Sequence, residues 1–174
     1  QAVSLHDEIH IRPAEPGTVT CRVVGEQAHL VPTDERNLAV RAARLLATEH
    51  GDPDALGADL LIRKAIPVTG GMAGGSADCA GALLGCAYLW DLDVDADDLA
   101  ALGRRLGADV PFALAGQTAL GRGRGDELVP VLSRGTYHWV LAFSEFELST
   151  PAVFRRWDRL NPDAGPVAEV PQAL

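Results

Sequence analysis

The sequence is poor in positive charge, cysteine, aromatic residues and long apolar runs, and each shortage excludes a class of protein. Its 174 residues carry a formal net charge of −9, whereas proteins that bind nucleic acids usually present a cationic face. A polynucleotide is therefore not expected among its partners. No apolar stretch reaches the roughly 20 residues that a membrane-spanning helix needs. We therefore expect no association with a membrane.

The three cysteines, Cys21, Cys79 and Cys86, include no C-x-x-C pair. An odd number of widely spaced cysteines argues against both a zinc site and a disulfide framework. The five histidines show no metal-binding spacing either, so we predict no metal site built from side chains. With no secretory leader in evidence, these features predict a reducing, cytoplasmic location.

Strand and helix signals are present in an irregular order. Strands are predicted at residues 2–12, 19–24, 58–64 and 137–144, and a hairpin at 119–123 and 127–132. Helices are predicted at residues 38–46, 76–90, 95–106 and 151–160, with a helix restart at Asp109. Because strands and helices do not alternate regularly, this order predicts a mixed α+β domain.

The most informative stretch is a glycine-rich turn at residues 66–78, which reads Ile-Pro-Val-Thr-Gly-Gly-Met-Ala-Gly-Gly-Ser-Ala-Asp. Glycines can adopt positive φ values and let the backbone approach a ligand closely. Consecutive N–H groups and the start of the following helix attract anions. The turn therefore predicts phosphate binding through the backbone. The alternative is a tight strand-to-helix connection in which Ser76 is a simple N-cap.

Two common nucleotide loops are excluded by the residues of this turn. It lacks the Gly-Lys-Ser/Thr ending of a Walker A loop, and its glycines do not fit G-x-G-x-x-G. Any nucleotide bound here is held by another type of loop.

Three stretches together resemble the superfamily of galactokinase, homoserine kinase, mevalonate kinase and phosphomevalonate kinase (GHMP kinases). They are Asp-Glu-Arg-Asn-Leu at 34–38, the glycine-rich turn, and Leu-Gly-Ala-Asp-Val-Pro-Phe at 106–112. The resemblance implies an α+β GHMP-kinase N-terminal domain of the ribosomal protein S5 domain 2-like type at residues 1–146. It also implies the beginning of a second α/β domain at residues 147–174.

The resemblance further implies transfer of the γ-phosphoryl group of ATP, with Mg²⁺, to an alcohol. The likeness is strongest to the branch that acts on the 2-hydroxyl of a cytidine-diphosphate-linked methylerythritol. Asp109 matches the catalytic aspartate, and Thr150 and Phe154 match positions lining the cytidine pocket. The implied ATP-binding residues are Asn37, Lys64, Pro67, Val68, Thr69, Gly70, Gly71, Met72, Ala73, Gly74, Gly75, Ser76 and Ala77.

Several alternatives remain open from the sequence. Asp109 is also suited to be a helix N-cap, Phe154 could be a core residue, and Lys64 could approach the nucleotide only through its backbone. Ala73 and Ala77 stand where many members of the superfamily have glycine and serine. No residue matches the superfamily's N-terminal lysine, its N-terminal substrate motif or its C-terminal glycine loop. The acceptor could therefore be homoserine, mevalonate or a sugar, or the chain could be a non-catalytic nucleotide-binding module.

Overall fold

A computed structural model describes residues 1–142 and 149–165 of the chain. The chain divides into two compact units, Gln1–Trp139 and Val140–Leu174, and each is described by itself. Within the described residues, no helix combines the length and apolar character that crossing a membrane requires.

A three-stranded sheet forms the base of the first unit. Its strands are β1 (Glu8–Pro13), β2 (Val19–Gly25) and β3 (Ala58–Lys64), in the order β1-β3-β2. The central strand β3 pairs antiparallel with β1 and parallel with β2. Its side chains alternate as the sequence predicts, so that Leu60 and Ile62 are fully buried on one face. The N-terminal strand is shorter than predicted, because pairing begins only at Glu8.

The first unit also contains a short 3-10 helix at Ala28–Leu30 and four α-helices: α1 (Leu38–His50), α2 (Gly74–Leu89), α3 (Ala96–Leu106) and α4 (Val110–Ala115). Helices α1 and α2 bury their small residues in a common core with β3. A Cβ atom added at Gly85 of α2 would lie 2.5 Å from Ile11 Cδ1 of β1. The absence of a side chain at Gly85 therefore lets α2 lie close against Ile11 of the sheet.

The remaining elements lie towards the C-terminus. Strands β4 (Ala119–Arg122) and β5 (Glu127–Pro130) form the predicted antiparallel hairpin, and α5 (Thr150–Leu160) belongs to the second unit. The strand predicted at 137–144 is wrong for residues 137–142, which form no strand. The β-rich composition of this segment was a local signal only, and no strand pairs with residues 137–142. Residues 143–144 and the predicted domain boundary at 146/147 lie outside the described residues.

Candidate functional site

The glycine-rich turn connects the end of β3 to the start of α2. Three of its residues have positive φ values: Thr69 at 60°, Gly71 at 70° and Ala73 at 54°. Only one of the three is a glycine, so the expectation that the four glycines supply the positive φ values is wrong in its detail. Non-glycine residues hold left-handed conformations here, at an energetic cost that the surrounding structure must offset.

Gly74 lets the start of α2 approach neighbouring residues closely. A Cβ atom at Gly74 would lie 3.0 Å from Ile66 Cγ2 and 3.2 Å from Lys64 Nζ, so the first residue of α2 packs directly on the end of β3. Gly75 differs, because the nearest atom to its Cβ position is Leu38 Cδ1 at 3.9 Å. The backbone at Gly75 therefore borders open space rather than packed protein.

The start of α2 has no side-chain cap. The N-cap residue is Ala73, and no side chain accepts a hydrogen bond from the first N–H groups of the helix. The interpretation of Ser76 as the N-cap is wrong, because the left-handed Ala73 turns the chain into the helix before Ser76 is reached. The unpaired N–H groups and the helix dipole together favour an anion at this end of α2.

A cavity of about 310 Å³ lies beside the turn, within the size range of small-molecule pockets. The turn from Pro67 to Gly75 lines it, together with Lys64 and Asp78. The segment before and at the start of α1 supplies the other lining residues, which are Leu30, Val31, Pro32, Arg36, Asn37 and Leu38. The structure thus brings the predicted residues Asn37, Lys64 and 67–75 together. Ser76 and Ala77 lie in the first turns of α2 but do not line the cavity.

Two amide side chains form hydrogen bonds to segments that line the cavity. Asn37, with 5% of its surface exposed, accepts a hydrogen bond from Ala39 N at 2.8 Å and donates one to Pro32 O at 2.7 Å. Asn37 therefore caps α1 and also holds Pro32, which with Leu30 and Val31 forms the apolar wall of the cavity. Gln27, which the sequence does not single out, accepts a hydrogen bond from Val68 N at 2.8 Å and so ties the turn to the segment before that wall.

Lys64 lies in a buried cluster that sequence reasoning missed. Its ammonium donates to Asp7 Oδ2 at 2.5 Å and to Asp78 Oδ2 at 2.9 Å. The three side chains are 2–4% exposed. Lys64 is the single lysine of the chain, but nothing in the sequence connects it to Asp7. We call Asp7, Lys64 and Asp78 the Lys64 cluster.

Burial and charge act against each other in this cluster. Burial raises the pKa of Asp78 to about 6, although the hydrogen bond from Lys64 opposes the shift. For Asp7, burial also acts upwards, but hydrogen bonds from Lys64 and from two backbone N–H groups outweigh it and lower the pKa. For Lys64, burial acts to lower the pKa, and the two carboxylates outweigh it and raise the pKa. Oδ1 of Asp78 is buried without a hydrogen-bond partner among the described residues.

Asp109 stands immediately before α4 and is exposed. Its side chain makes no capping hydrogen bond, so the alternative of a simple N-cap is not supported by the geometry. The backbone at Gly107, two residues earlier, lies near the first turn of α2, since Ser76 Oγ is 3.8 Å from the Cβ position of Gly107. The segment that contains Asp109 therefore runs beside the helix that begins at the cavity.

The two residues predicted to line a cytidine pocket belong to the second unit. Thr150 is the first residue of α5, and its side chain lies outside the described residues. Phe154 lies on the same helix with 65% of its surface exposed, which argues against its being a core residue. Their predicted role in binding stays a prediction.

A comparison with family models matches residues 37–117 to the GHMP kinases N terminal domain. The matched segment contains both the glycine-rich turn and Asp109. It begins at Asn37, the cap of α1, and includes the cavity-lining residues from Asn37 onwards.

Curated relatives are similar over nearly the whole chain. A 4-diphosphocytidyl-2-C-methyl-D-erythritol kinase of Rhodococcus jostii is 53% identical over 167 residues, which are 95% of this chain and 52% of the relative. The protein of the same name from Mycolicibacterium smegmatis is 55% identical over 163 residues, 93% of this chain and 49% of the relative. The chain thus spans about half the length of the curated relatives it matches.

Solved structures give the same result for the fold. A crystal structure of 4-(cytidine 5'-diphospho)-2C-methyl-D-erythritol kinase matches with a TM-score of 0.65 and 35% identity, covering 87% of this chain and 51% of that one. Homoserine kinase from Cytophaga hutchinsonii matches with a TM-score of 0.57 at 14% identity, covering 89% and 56%, a likeness of fold alone. These matches confirm the predicted α+β fold.

Proposed function

Since the chain belongs to the GHMP kinase family, whose N-terminal domain it carries, we propose that it forms the nucleotide-binding part of a kinase acting on 4-diphosphocytidyl-2-C-methyl-D-erythritol. The kinase would transfer the γ-phosphoryl group of ATP to the 2-hydroxyl group. The observation that carries the proposal is the cavity at the uncapped start of α2. A cytoplasmic location remains a prediction.

The cavity supports binding of a triphosphate through backbone groups. The N–H groups at the start of α2 have no side-chain acceptor, and Gly75 brings the backbone to the cavity without a Cβ atom. A helix start of this kind favours a negatively charged ligand. The apolar wall at Leu30, Val31 and Pro32 suits the face of a nucleobase.

Asp109 is proposed as the general base. In the transfer, the oxygen of the acceptor hydroxyl forms a bond to the γ-phosphorus, the bond from that phosphorus to the bridging oxygen breaks, and ADP leaves. The hydroxyl proton passes to the carboxylate of Asp109. This carboxylate is exposed and makes no cap, so it is available for that contact. Catalysis of phosphoryl transfer otherwise consists mainly of positioning and of charge stabilisation.

Mg²⁺ fits this site as a companion of the nucleotide. The described residues contain no group of three His, Cys, Asp or Glu side chains that could hold a metal ion. Mg²⁺ in such enzymes is commonly bound through substrate phosphates and one or two protein oxygens. The hydroxyl of Ser76 lies in the first turn of α2 but does not line the cavity, so the ion would be held mainly by the phosphates. The ion would neutralise charge on the phosphates.

The acceptor is proposed from the relatives' names, with Thr150 and Phe154 in contact with the cytidine. No specific observation favours homoserine, mevalonate or a sugar, because the homoserine kinase likeness concerns the fold alone. A non-catalytic module is likewise not favoured by any contact in the cavity.

Coupled ADP-release assays on the complete gene product test the proposal. We expect turnover with 4-diphosphocytidyl-2-C-methyl-D-erythritol and none with homoserine or mevalonate. Turnover with one of the other acceptors would reject the proposed substrate. Isothermal titration with ATP separates binding from turnover, and an absence of heat would reject nucleotide binding itself.

A further inference from the structure

The Lys64 cluster joins the two ends of the glycine-rich turn. Asp7 Oδ1 accepts hydrogen bonds from Ala65 N at 2.6 Å and Ile66 N at 2.8 Å, where the chain leaves β3. Oδ2 of the same carboxylate accepts from the Lys64 ammonium, which also donates to Asp78 in the second turn of α2. The entry and the exit of the turn are therefore connected through one buried ammonium group.

We propose that Lys64 is a positioning residue, which sets the shape of the phosphate-binding turn through Asp7 and Asp78 rather than by contacting the phosphates. The proposal rests on the proposed function and deepens it. It assigns a role to Asp7, which lies outside the motifs, and to Asp78, the last residue of the glycine-rich turn, for which the motif gives no role.

The geometry leaves the ammonium little capacity for a ligand. A lysine has three N–H donors, and two carboxylates take up two of them. The side chain is 3% exposed, and the first residue of α2 packs over it, since the Cβ position of Gly74 is 3.2 Å from Nζ. One N–H donor remains, but the burial of the ammonium under the first residue of α2 leaves it little access to a phosphate.

The turn between the two ends has few other attachments. Gln27 holds Val68 N, and Gly70 N donates to Pro67 O within the turn itself. Left-handed residues such as Thr69 and Ala73 persist only where the surroundings hold them in place. A fixed separation of the two ends, provided by the Lys64 cluster, is such a restraint.

Asp7 separates the positioning role from a direct phosphate contact, because it does not line the cavity. If Lys64 binds phosphate directly, Asp7→Asn leaves ATP binding unchanged or strengthens it, since the ammonium loses a competing carboxylate. If Lys64 acts by positioning, Asp7→Asn weakens the binding of ATP. The variant keeps an oxygen that can accept from Ala65 N and Ile66 N, so it is the milder test of the cluster.

The experiment measures dissociation constants for ATP and for adenosine, by isothermal titration on the complete gene product. We expect Asp7→Asn and Lys64→Met each to weaken ATP binding about 10-fold or more, with adenosine affinity changed little. Arg105→Met is the control, because it removes one partner of the exposed Glu49–Arg105 pair far from the turn in sequence. It should leave both constants unchanged.

Each outcome decides the proposal. Equal losses for ATP and adenosine, or an unchanged ATP constant in a folded Asp7→Asn protein, would overturn it. A loss of ATP affinity in Lys64→Met alone would assign Lys64 as a direct ligand and also overturn it. If Lys64→Met does not fold, Asp7→Asn carries the test, and an Asp7→Asn protein that fails to fold reduces the cluster to a stability role. A wild-type protein that binds neither ATP nor adenosine instead rejects the proposed function.

Discussion

The helices of the first unit begin in two different ways. At α1, Asn37 Oδ1 accepts from Ala39 N at 2.8 Å. At α3, Asp95 accepts from Asp98 N at 2.8 Å, and the Asp98 side chain accepts from Asp95 N at 3.4 Å, which completes a capping box. At α2 and α4, no side chain accepts from the first N–H groups.

The capped helix starts are stabilised by side chains of the fold itself, whereas both uncapped starts carry residues of the proposed function. Capped starts satisfy their own N–H groups and so stabilise the fold without a ligand. The uncapped start of α2 borders the cavity, and the uncapped start of α4 has Asp109 as its N-cap residue. Under the proposed function, the start of α2 would bind the phosphates and Asp109 at the start of α4 would accept the proton.

The largest expected effect is at α4. Asp109→Asn should lower kcat about 10²–10⁴-fold, the usual contribution of a general base, with an unchanged melting temperature because Asp109 makes no cap. Asp95→Ala at the capped start of α3 is the matched control. It should cost about 0.5–2 kcal/mol of stability and leave kcat unchanged. Coupled ADP release and thermal melting of both variants measure this contrast.

The comparison breaks if the two aspartates behave alike. Because asparagine caps a helix as well as aspartate does, Asp109→Ala tests the cap. A normal kcat in Asp109→Asn together with a lowered melting temperature in Asp109→Ala would make Asp109 a structural cap, as Asp95 is. The uncapped start of α4 would then have no connection with catalysis.

At α2, Gly75→Ala should weaken ATP binding about 10-fold or more, because the added methyl group would enter the cavity where the proposed function places the phosphates. Stability should be unchanged or increased, since the Cβ position is open and alanine favours a helix by about 1 kcal/mol. Gly57→Ala is the control, because Gly57 does not line the cavity. Its Cβ would lie 2.2 Å from the backbone oxygen of Glu15, so it should lower the melting temperature without affecting ATP binding. Normal ATP affinity in Gly75→Ala would show that the phosphates do not bind at this helix start.

The sequence was sufficient where the determinants are local. Strand β3 follows from its alternating pattern, and the start of α3 follows from Asp95, whose hydrogen-bond partner is three residues away. The cap of α2 was not predictable in this way. The preference of serine for N-cap positions pointed to Ser76, but the left-handed conformation of Ala73 begins the helix earlier.

The sequence predicted many of the residues that line the cavity, but not the hydrogen bonds between them and distant residues. The motifs identified the turn and Asn37, and the family resemblance added Lys64, all of which line the cavity. They did not identify the contact between Lys64 and Asp7, which are 57 residues apart, because no local pattern encodes a pairing over that distance. The apolar wall at Leu30, Val31 and Pro32 was missed for the same reason.

Ionisation of Asp78 in α2 should have a smaller effect, on the stability of the protein as a function of pH. The cap of α1 is a neutral amide, whereas α2 has a buried carboxyl group, Asp78, whose pKa burial raises to about 6. Because the folded-state pKa is above the ordinary value of 3.8, folding favours the protonated form. The contribution of Asp78 to stability is therefore greatest below pH 4 and is lost as the pH rises through 6.

Asp78→Asn removes this dependence, because an amide does not ionise. Between pH 4 and pH 7, the stability of Asp78→Asn relative to the wild type should rise by about 1–2 kcal/mol. Asp7 does not interfere in this range, since its pKa is lowered and its own contribution is lost only at lower pH. Denaturant unfolding at several pH values measures the difference. Parallel curves for the two proteins would show that Asp78 does not titrate in this range.

The smallest expected effect is at the N-cap of α2 itself. Ala73 has a φ of 54°, and a left-handed conformation costs a non-glycine residue about 1–2 kcal/mol. Glycine avoids this cost, but it loses part of the gain because its unfolded chain has more conformational entropy. Ala73→Gly should therefore stabilise the protein by about 0.5 kcal/mol with ATP affinity unchanged. Ala77→Gly, inside the helix, should instead destabilise it by about 1 kcal/mol. If both variants were destabilised equally, Ala73 would be an ordinary helical residue, and the start of α2 would not be set by its backbone conformation.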